Sequence, residues 1–327
     1  MNSRTILITG GAGYIGSVTA HALISLGYFV VIIDTQFLPK SLADCPAIKF
    51  FHGDYADPLL WRAMTSTYTF DAVIHFAAFI EVGESVVLPA AYYENNVLKL
   101  ISMLSLVKQA NIRTVIAASS SAVYGNPLNY PMTEQHQRMP LSPYGRTKVM
   151  LEDILLDYHA AYGLNVALLR FANVAGALPD EQLGECHDPE THLIPRVMSA
   201  LATGTTFFLQ GNDYDTPDGT CLRDFVHVHD VARLHAMLLD LFYTQATPKA
   251  VVLNVGSGCA TSVREIVAMV SSVMNKKVVL EERPRRPGDT SVIVLDISEA
   301  YKIVGWQPFM SDVRTIVESA VAFFKAV

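Results

Sequence analysis

Several things are scarce in this sequence, and each scarcity excludes something. No apolar run approaches the ~20 residues that a bilayer-spanning helix needs, although 51% of the residues are hydrophobic. No membrane partner is therefore expected. Basic residues are outnumbered, 24 Lys and Arg against 31 Asp and Glu, and the net charge of −7 argues against a nucleic-acid partner, which calls for a basic face. Only four cysteines occur, Cys45, Cys186, Cys221 and Cys259, and none forms a CxxC pair. They read as reduced thiols in a cytoplasmic protein, not as a disulfide framework. The opening MNSRTILITGG runs straight into a strand-and-glycine pattern without a signal-peptide layout. Internal repeats and low-complexity segments are also missing.

What is there alternates. Short β-branched segments, apolar on both faces, stand at Thr5–Thr9, Phe29–Asp34, Ile48–Phe51, Ala72–Phe76, Thr114–Ala118 and Val166–Arg170, as strands covered from both sides require. Helical patterns lie between them, at Tyr14–Leu26, at about Pro89–Ala110 and in one opening at Ser142. The fold class is α/β: a doubly wound parallel (Rossmann) sheet with a second, smaller α/β substrate domain. Residues 1–172 are expected to form the dinucleotide domain. Residues 173–220 and 257–327, where Gly-, Asp- and Pro-rich loops intervene, form mainly the second, with 221–256 returning to the first. A strand at Phe225–His229 is expected in the returning segment, and helices at Ser262–Met274 and Asp312–Ala326 beyond it. No linker marks the boundary, so the two domains should share a cleft.

The first strand leads into TGGAGYIG, placing Gly10, Gly13 and Gly16 three apart. Glycines there permit a tight turn and a close approach of backbone N–H groups to a pyrophosphate, at a helix N-terminus that favours negative charge. Asp34 closes the second strand, 18 residues beyond Gly16. Its carboxylate can accept from a ribose 2′-hydroxyl and would repel a 2′-phosphate, so the cofactor expected is NAD and not NADP. Asp54, ending the third strand, suits the adenine side, or is simply a solvated turn aspartate.

The stretch SPYGRTK, Ser142–Lys148, sets a tyrosine and a lysine four apart at a helix start. The apolar stripe Leu151, Ile154, Leu155, Tyr158 projects back through Thr147, Lys148 and Tyr144. A lysine on a buried stripe is uncommon unless something pairs with it. The preceding strand runs into the hydroxyl cluster SSSAVYG, and in such sheets ligands bind beyond the carboxyl ends of the strands. A phenol with a pKa near ~10 is a poor base at neutral pH. A cation about 5 Å away, at an effective dielectric near 20, favours the phenolate by roughly 3 kcal/mol. Lys148 is thus expected to lower Tyr144 by about two pKa units, with a serine relaying the proton.

Together the glycine loop, Asp34, the serine cluster and Tyr144-x-x-x-Lys148 resemble the extended short-chain dehydrogenase/reductase family. HFAAFIEVGES (His75–Ser85), YYENNV (Tyr92–Val97), LRFANVAGA (Leu169–Ala177), GNDYDTPDGTCLRDFVHV (Gly211–Val228) and RPRRPGD (Arg283–Asp289) narrow the resemblance to its UDP-galactose (UDP-glucose) 4-epimerase branch. The resemblance implies an NAD-dependent isomerase that interconverts UDP-glucose and UDP-galactose through a 4-keto intermediate, working as a cytoplasmic homodimer. Epimerases of UDP-N-acetylhexosamines, UDP-pentoses or UDP-uronic acids are the alternatives. A 4,6-dehydratase is disfavoured, since Ser121-Ala122 stands where such relatives carry Asp-Glu. A non-catalytic NAD-sensing protein would not need Tyr144, Lys148 and a serine together.

By the same resemblance Tyr144 is the base, Lys148 its tuner and Ser120 the relay, with Ser121 the alternative. It adds Tyr14, Ile15, Tyr55, Phe76, Ala77, Ala78, Asn95 and Phe171 to the cofactor contacts. Asn173, His192, Leu193, Arg223, Arg286 and Asp289 join Ser120 and Tyr144 as substrate contacts, the arginines suiting a pyrophosphate. Helices Pro89–Ala110 and Ser142–His159 are implied to form a four-helix dimer contact. ECHDPETH (Glu185–His192) and His227-x-His229-Asp230 carry metal-type donors, but their spacing matches no zinc pattern. A polar loop over the nucleotide and a strand with alternating histidines are expected instead, and no metal.

Overall fold

The computed structural model describes residues 4–127, 129–286 and 289–326. Of the Arg283–Asp289 stretch, Pro287 and Gly288 lie outside the described residues, as do residues 1–3 and 327 of the expected domains. In chain order the strands are β1 (Thr5–Thr9), β2 (Phe29–Asp34), β3 (Ile48–His52), β4 (Ala72–His75), β5 (Thr114–Ser120), β6 (Asn165–Phe171) and β7 (Asn173–Ala175). There follow β8 (Thr206–Gln210), β9 (Leu222–Arg223), β10 (Phe225–His227), β11 (Ala250–Val255), β12 (Thr261–Ser262), β13 (Val279–Arg283) and β14 (Val292–Ile293). The helices are α1 (Tyr14–Ser25), α2 (Lys40–Ala43), α3 (Pro58–Thr67), α4 (Val82–Val87), α5 (Pro89–Tyr93) and α6 (Lys99–Gln109). Then come α7 (Pro143–Tyr162), α8 (Leu193–Thr203), α9 (Val228–Thr244), α10 (Val263–Met274), α11 (Ser298–Val304) and α12 (Val313–Ala326).

The chain divides into two compact units. The first comprises Met1–Gly125, Gln137–Arg170 and Ala232–Leu253; the second comprises Asn126–His136, Phe171–Val231 and Asn254–Val327. A seven-stranded sheet runs through the first in the order β11-β6-β5-β4-β1-β2-β3. That is the doubly wound order 3-2-1-4-5-6 with one more strand at its edge. The pairs β2–β3, β1–β2, β1–β4 and β4–β5 are parallel. Ile6, Leu7 and Ile8 are fully buried in β1, since helices cover both faces of such a sheet. The order reverses between β1 and β4, so the loops leaving these two strands flank the crevice where doubly wound folds bind ligands.

Helix α7 starts as the sequence suggests. Ser142 Oγ accepts from the Gly145 N–H at 3.1 Å, Pro143 occupies the first turn, and Gly163 at φ +66° ends the helix. The expected Pro89–Ala110 helix is instead interrupted by a π-helical turn over Glu94–Leu98. The extra residue turns Asn96 inward, where its amide bonds both the N–H and C=O of Phe79 at 2.8 and 2.9 Å and Thr147 Oγ1 at 3.2 Å. Three hydrogen bonds, the one to Thr147 buried, offset the poorer backbone geometry of such a turn. The expected strand Phe225–His229 also ends early. The His229 N–H donates to His227 Nδ1 at 3.1 Å, and the chain turns into α9, so these histidines do not alternate along one strand.

The second unit has its own core. Ile194, Val197 and Leu201 of α8 meet Ile266, Val267 and Val270 of α10 and Ile316, Val317 and Val321 of α12. Short ladders complete it: β7 with β10, β8 with β13, and β9 between β12 and β14. Residues 126–136 belong here because Met132 pairs in parallel with Leu295 and its carbonyl accepts from the Asn254 amide at 2.7 Å. Among the described residues no helix is long and apolar enough to cross a membrane.

Candidate active site

The glycine loop forms one half of a dinucleotide cradle. Gly10 sits at φ +73°, and a Cβ on it would lie 2.5 Å from the Ala77 nitrogen. A Cβ on Gly16 would lie 2.2 Å from the Gly10 carbonyl oxygen. Only hydrogen fits at either place. The loop from β1 is thereby pressed against Phe76-Ala77 at the end of β4, where the Phe76 and Ala77 N–H groups both donate to Thr9 O. Gly13 is exposed at the N-terminus of α1, which no side chain caps, leaving N–H groups and the positive end of the helix dipole open to an anion. Tyr14 and Ile15 form the first turn of that helix, Tyr14 buried. Asp34 lies at the end of β2, Oδ2 accepting from the Ala12 N–H and Oδ1 from the Gln36 N–H, both at 2.9 Å. Each oxygen keeps acceptor capacity for a diol. These residues fit a dinucleotide with an unmodified 2′-hydroxyl.

The remaining predicted cofactor contacts are more committed. Asp54 accepts from the Ala56 N–H at 2.9 Å and pairs with Lys99 at 2.6 Å. The Tyr55 hydroxyl donates to the Asn95 carbonyl, and its ring packs on His75 at 5.1 Å. The Asn95 side chain bonds Lys99 and Asn96. Phe76 packs against His235 at 5.0 Å. Ala78 is half-buried, and Phe171 is buried at the end of β6.

At the carboxyl end of β5 the structure brings Ser120, Tyr144 and Lys148 together. Tyr144 and Lys148 are 8% and 3% exposed, which settles that the SPYGRTK stripe faces inward. Burial pushes the Tyr144 phenol up, and a hydrogen bond with Ser120 opposes it. Ser120 Oγ also accepts from the Ala122 N–H at 3.2 Å. Ser121 opens the following 3-10 turn and is buried. Of the two candidates, Ser120 is the one beside the phenol.

Lys148 departs from expectation. Its ammonium donates to the Ala118 carbonyl at 2.7 Å and stands 5.8 Å from the Tyr144 ring centroid. Burial pushes it down to about 8 against the supporting charge of Glu152. With that ammonium turned toward a backbone carbonyl, burial is the largest influence on the Tyr144 phenol. Below them His75 bonds Thr9 Oγ1 at 2.7 Å and is held neutral, near 3, by burial and the charge of Lys148.

Glu152 was not singled out from the sequence, although it continues the Tyr144–Lys148 stripe by four more residues. Fully buried, it accepts from Ser119 Oγ at 2.6 Å, from Arg170 Nε at 2.9 Å and NH2 at 2.7 Å, and from Arg138 at 3.1 Å. Arg170 also donates to the Tyr124 hydroxyl at 2.9 Å. This network fastens β5, α7 and β6 to one another directly beneath the serine, tyrosine and lysine.

In the second unit, Arg223 NH1 donates to the Leu222 carbonyl at 2.9 Å, and NH2 lies 3.9 Å from Asp289. Arg286 is exposed. Arg196, on the first turn of α8, is pushed down by burial and by the charge of Arg286. Two guanidiniums that repel each other suit an anion, and Arg196 is a further candidate that its place after His192-Leu193 could have suggested. Asn173 is exposed at the start of β7, its N–H bonded to the Asp224 carbonyl at 3.0 Å. Leu193 begins α8. His192 is already engaged, as burial is overcome by Glu185 and Glu190, which push it up to about 10.

Comparison with known proteins agrees with this geometry. The sequence pattern of the NAD dependent epimerase/dehydratase family matches residues 6–256. The UDP-glucose 4-epimerase of Lacticaseibacillus casei is 38% identical, over 97% of this chain and 95% of its own. The crystal structure of UDP-glucose 4-epimerase from Brucella ovis in complex with NAD superposes with a TM-score of 0.93 at 40% identity, covering 98% of each chain. That from Bifidobacterium longum in complex with NAD+ and UDP gives 0.92 at 33% identity, again over 98% of each chain. A glycine-lined dinucleotide cradle, a phenol and an ammonium buried at the end of β5, and likeness over nearly the whole length lead to one assignment: the chain belongs to the NAD dependent epimerase/dehydratase family.

Proposed function

We propose that the protein is an NAD-dependent isomerase that interconverts UDP-glucose and UDP-galactose by reversible oxidation at C4. The observation that carries this is the buried Ser120–Tyr144–Lys148 group at the carboxyl end of β5. Gly10, Gly13, Gly16 and Asp34 hold the NAD. Bound NAD supplies the hydride acceptor, and in its reduced form the donor. Tyr144 takes the proton of the 4-hydroxyl, and Ser120 relays it. Lys148 holds ribose hydroxyls and steadies the phenolate as it forms. The proton is taken by the phenolate form of Tyr144, which the neighbouring ammonium of Lys148 stabilises against the cost of burial.

Arg223, Arg286 and Asn173 grip the UDP portion, with His192, Leu193 and Asp289 as neighbours. Binding energy from this remote handle positions the reacting carbon and retains the 4-ketose while it turns over. Likeness to the Bifidobacterium longum enzyme crystallised with NAD+ and UDP supports both ligands. The test is to incubate the purified protein with UDP-galactose and NAD and to separate the nucleotide sugars. UDP-glucose is expected. Its absence, with turnover of a UDP-N-acetylhexosamine, UDP-pentose or UDP-uronic acid in the same panel, would move the assignment to that sugar.

The protein is also proposed to work as a homodimer in the cytoplasm, where its four unpaired cysteines would stay reduced. Leu98 is 60% exposed, and Ile101 and Met150 are each 41% exposed, on the helices that the resemblance places in a four-helix contact. Light scattering behind size exclusion should give the mass of two chains. Ile101→Glu with Met150→Glu should give the mass of one. A monomeric wild type would overturn the dimer.

A further inference from the structure

The ECHDPETH loop of the second unit folds back on itself. Ligand atoms of Glu185, His187, Glu190 and His192 all come within 4.8 Å of one another. We propose that these four residues form a closed, structural Zn²⁺ site that ties the loop to the first turn of α8.

Distances argue for it first. Zinc–nitrogen bonds of about 2.0–2.1 Å and zinc–oxygen bonds of about 2.0–2.2 Å put the corners of a tetrahedral site roughly 3.3–3.5 Å apart. His187 Nδ1 lies 3.3 Å from Glu185 Oε1, His192 Nδ1 lies 3.2 Å from Glu190 Oε1, and His192 Nδ1 lies 2.8 Å from Glu185 Oε1. One of these edges already has the length that the metal requires, and a second is within about 0.1 Å of it. The third is a hydrogen bond that lengthens by about half an ångström when zinc takes the place of its proton.

The second argument is a poorly satisfied atom. His187 Nδ1 is shielded from solvent yet satisfies no hydrogen-bond geometry, despite the nearby Glu185 oxygen. A buried polar atom left poorly satisfied calls for a better partner. It points into the quartet, its ring centroid 5.1 Å from that of His192.

Chemistry and charge agree. Imidazole nitrogen with carboxylate oxygen in a tetrahedron selects zinc over magnesium or calcium, which take oxygen ligands in larger shells. Two carboxylates and two neutral imidazoles cancel the charge of one Zn²⁺. The Glu185 side chain is only 9% exposed, and a metal compensates a buried carboxylate more fully than exposed partners do. Four protein donors leave no open position, so the site holds structure and performs no catalysis. The ligand spacing, one residue, then two, then one, matches no common zinc pattern; folding of the loop, not spacing, assembles it.

The test is calorimetric titration of ZnCl₂ into the full-length protein after treatment with EDTA. One equivalent should bind. His187→Gln with Glu190→Gln should weaken binding by at least about 100-fold, beyond the 10–100-fold that outer-shell changes cost. Cys186→Ser should bind as the wild type does, because the exposed Cys186 is no part of the quartet. Circular dichroism of each variant in EDTA checks the fold. If the double variant fails to fold, Co²⁺ in the wild type decides: an intense visible band of tetrahedral type supports the site, and a weak octahedral one overturns it. No saturable equivalent, one unaffected by the double substitution, or one abolished by Cys186→Ser would also overturn it.

Discussion

Tyr144→Phe should lower kcat by about 10²–10⁴-fold, the usual worth of a general acid–base group, while NAD stays bound and the fold stays intact. The phenol is 8% exposed and its hydroxyl bonds the half-buried Ser120. Removing one oxygen there leaves ring packing unchanged, and Ser120 keeps its bond to the Ala122 N–H. The stability change should therefore stay within about 1 kcal/mol. Steady-state conversion of UDP-galactose, with the cofactor content of the purified variant and its thermal midpoint, checks all three parts. Near-normal kcat would remove Tyr144 from the chemistry. Lost NAD would make it a binding residue instead. Ser120→Ala should be milder, because the phenol itself survives.

Glu152→Ala should cause the largest loss of stability of any single change considered, about 3–5 kcal/mol, the cost of breaking a buried ion pair from one side. Arg170 is 4% exposed, and burial alone would push its guanidinium down; the two oxygens of Glu152 hold it up. Without them the buried cation loses this carboxylate and keeps its bond to the Tyr124 hydroxyl. Chemical denaturation should show a lower midpoint with an unchanged slope. Activity should fall as well. Glu152 supports the charge of Lys148, which burial already pushes down to about 8, so its removal takes Lys148 lower still and leaves less ammonium at neutral pH. Glu152→Gln keeps the acceptor for Ser119 but not the charge, and should fall between the two. Wild-type stability in Glu152→Ala would show that the network is not a fastening.

These two residues sit eight apart on one helix stripe with Lys148 midway between them, yet only Tyr144 was legible beforehand. Tyrosine and lysine stand out because helical spacing puts them on the buried face and because their chemistry needs each other. A glutamate on that stripe gains meaning only with Arg170, 18 residues on and in another strand. The direction of the Tyr144 shift was misjudged for a related reason. A pairwise estimate counts one cation and omits the loss of water around the phenol, and at this depth desolvation is the larger effect.

The sequence alone determined what depends on neighbours along the chain. The strand-and-helix alternation, the Gly10–Gly16 loop, Asp34 at a strand end and the capped start of α7 are properties of a few adjacent residues, and backbone sterics and periodicity dictate them. Tertiary structure decided what depends on residues far apart. The return of 126–136 to the second unit, the π-turn that aims Asn96 at Phe79 and Thr147, the Glu152–Arg170 fastening and the repulsion between Arg196 and Arg286 all belong here. So does the Glu185–His192 quartet, whose donors were visible as a run but whose convergence was not. Such contacts arise when a buried polar group must find a partner wherever the fold supplies one, and no local spacing records where that will be.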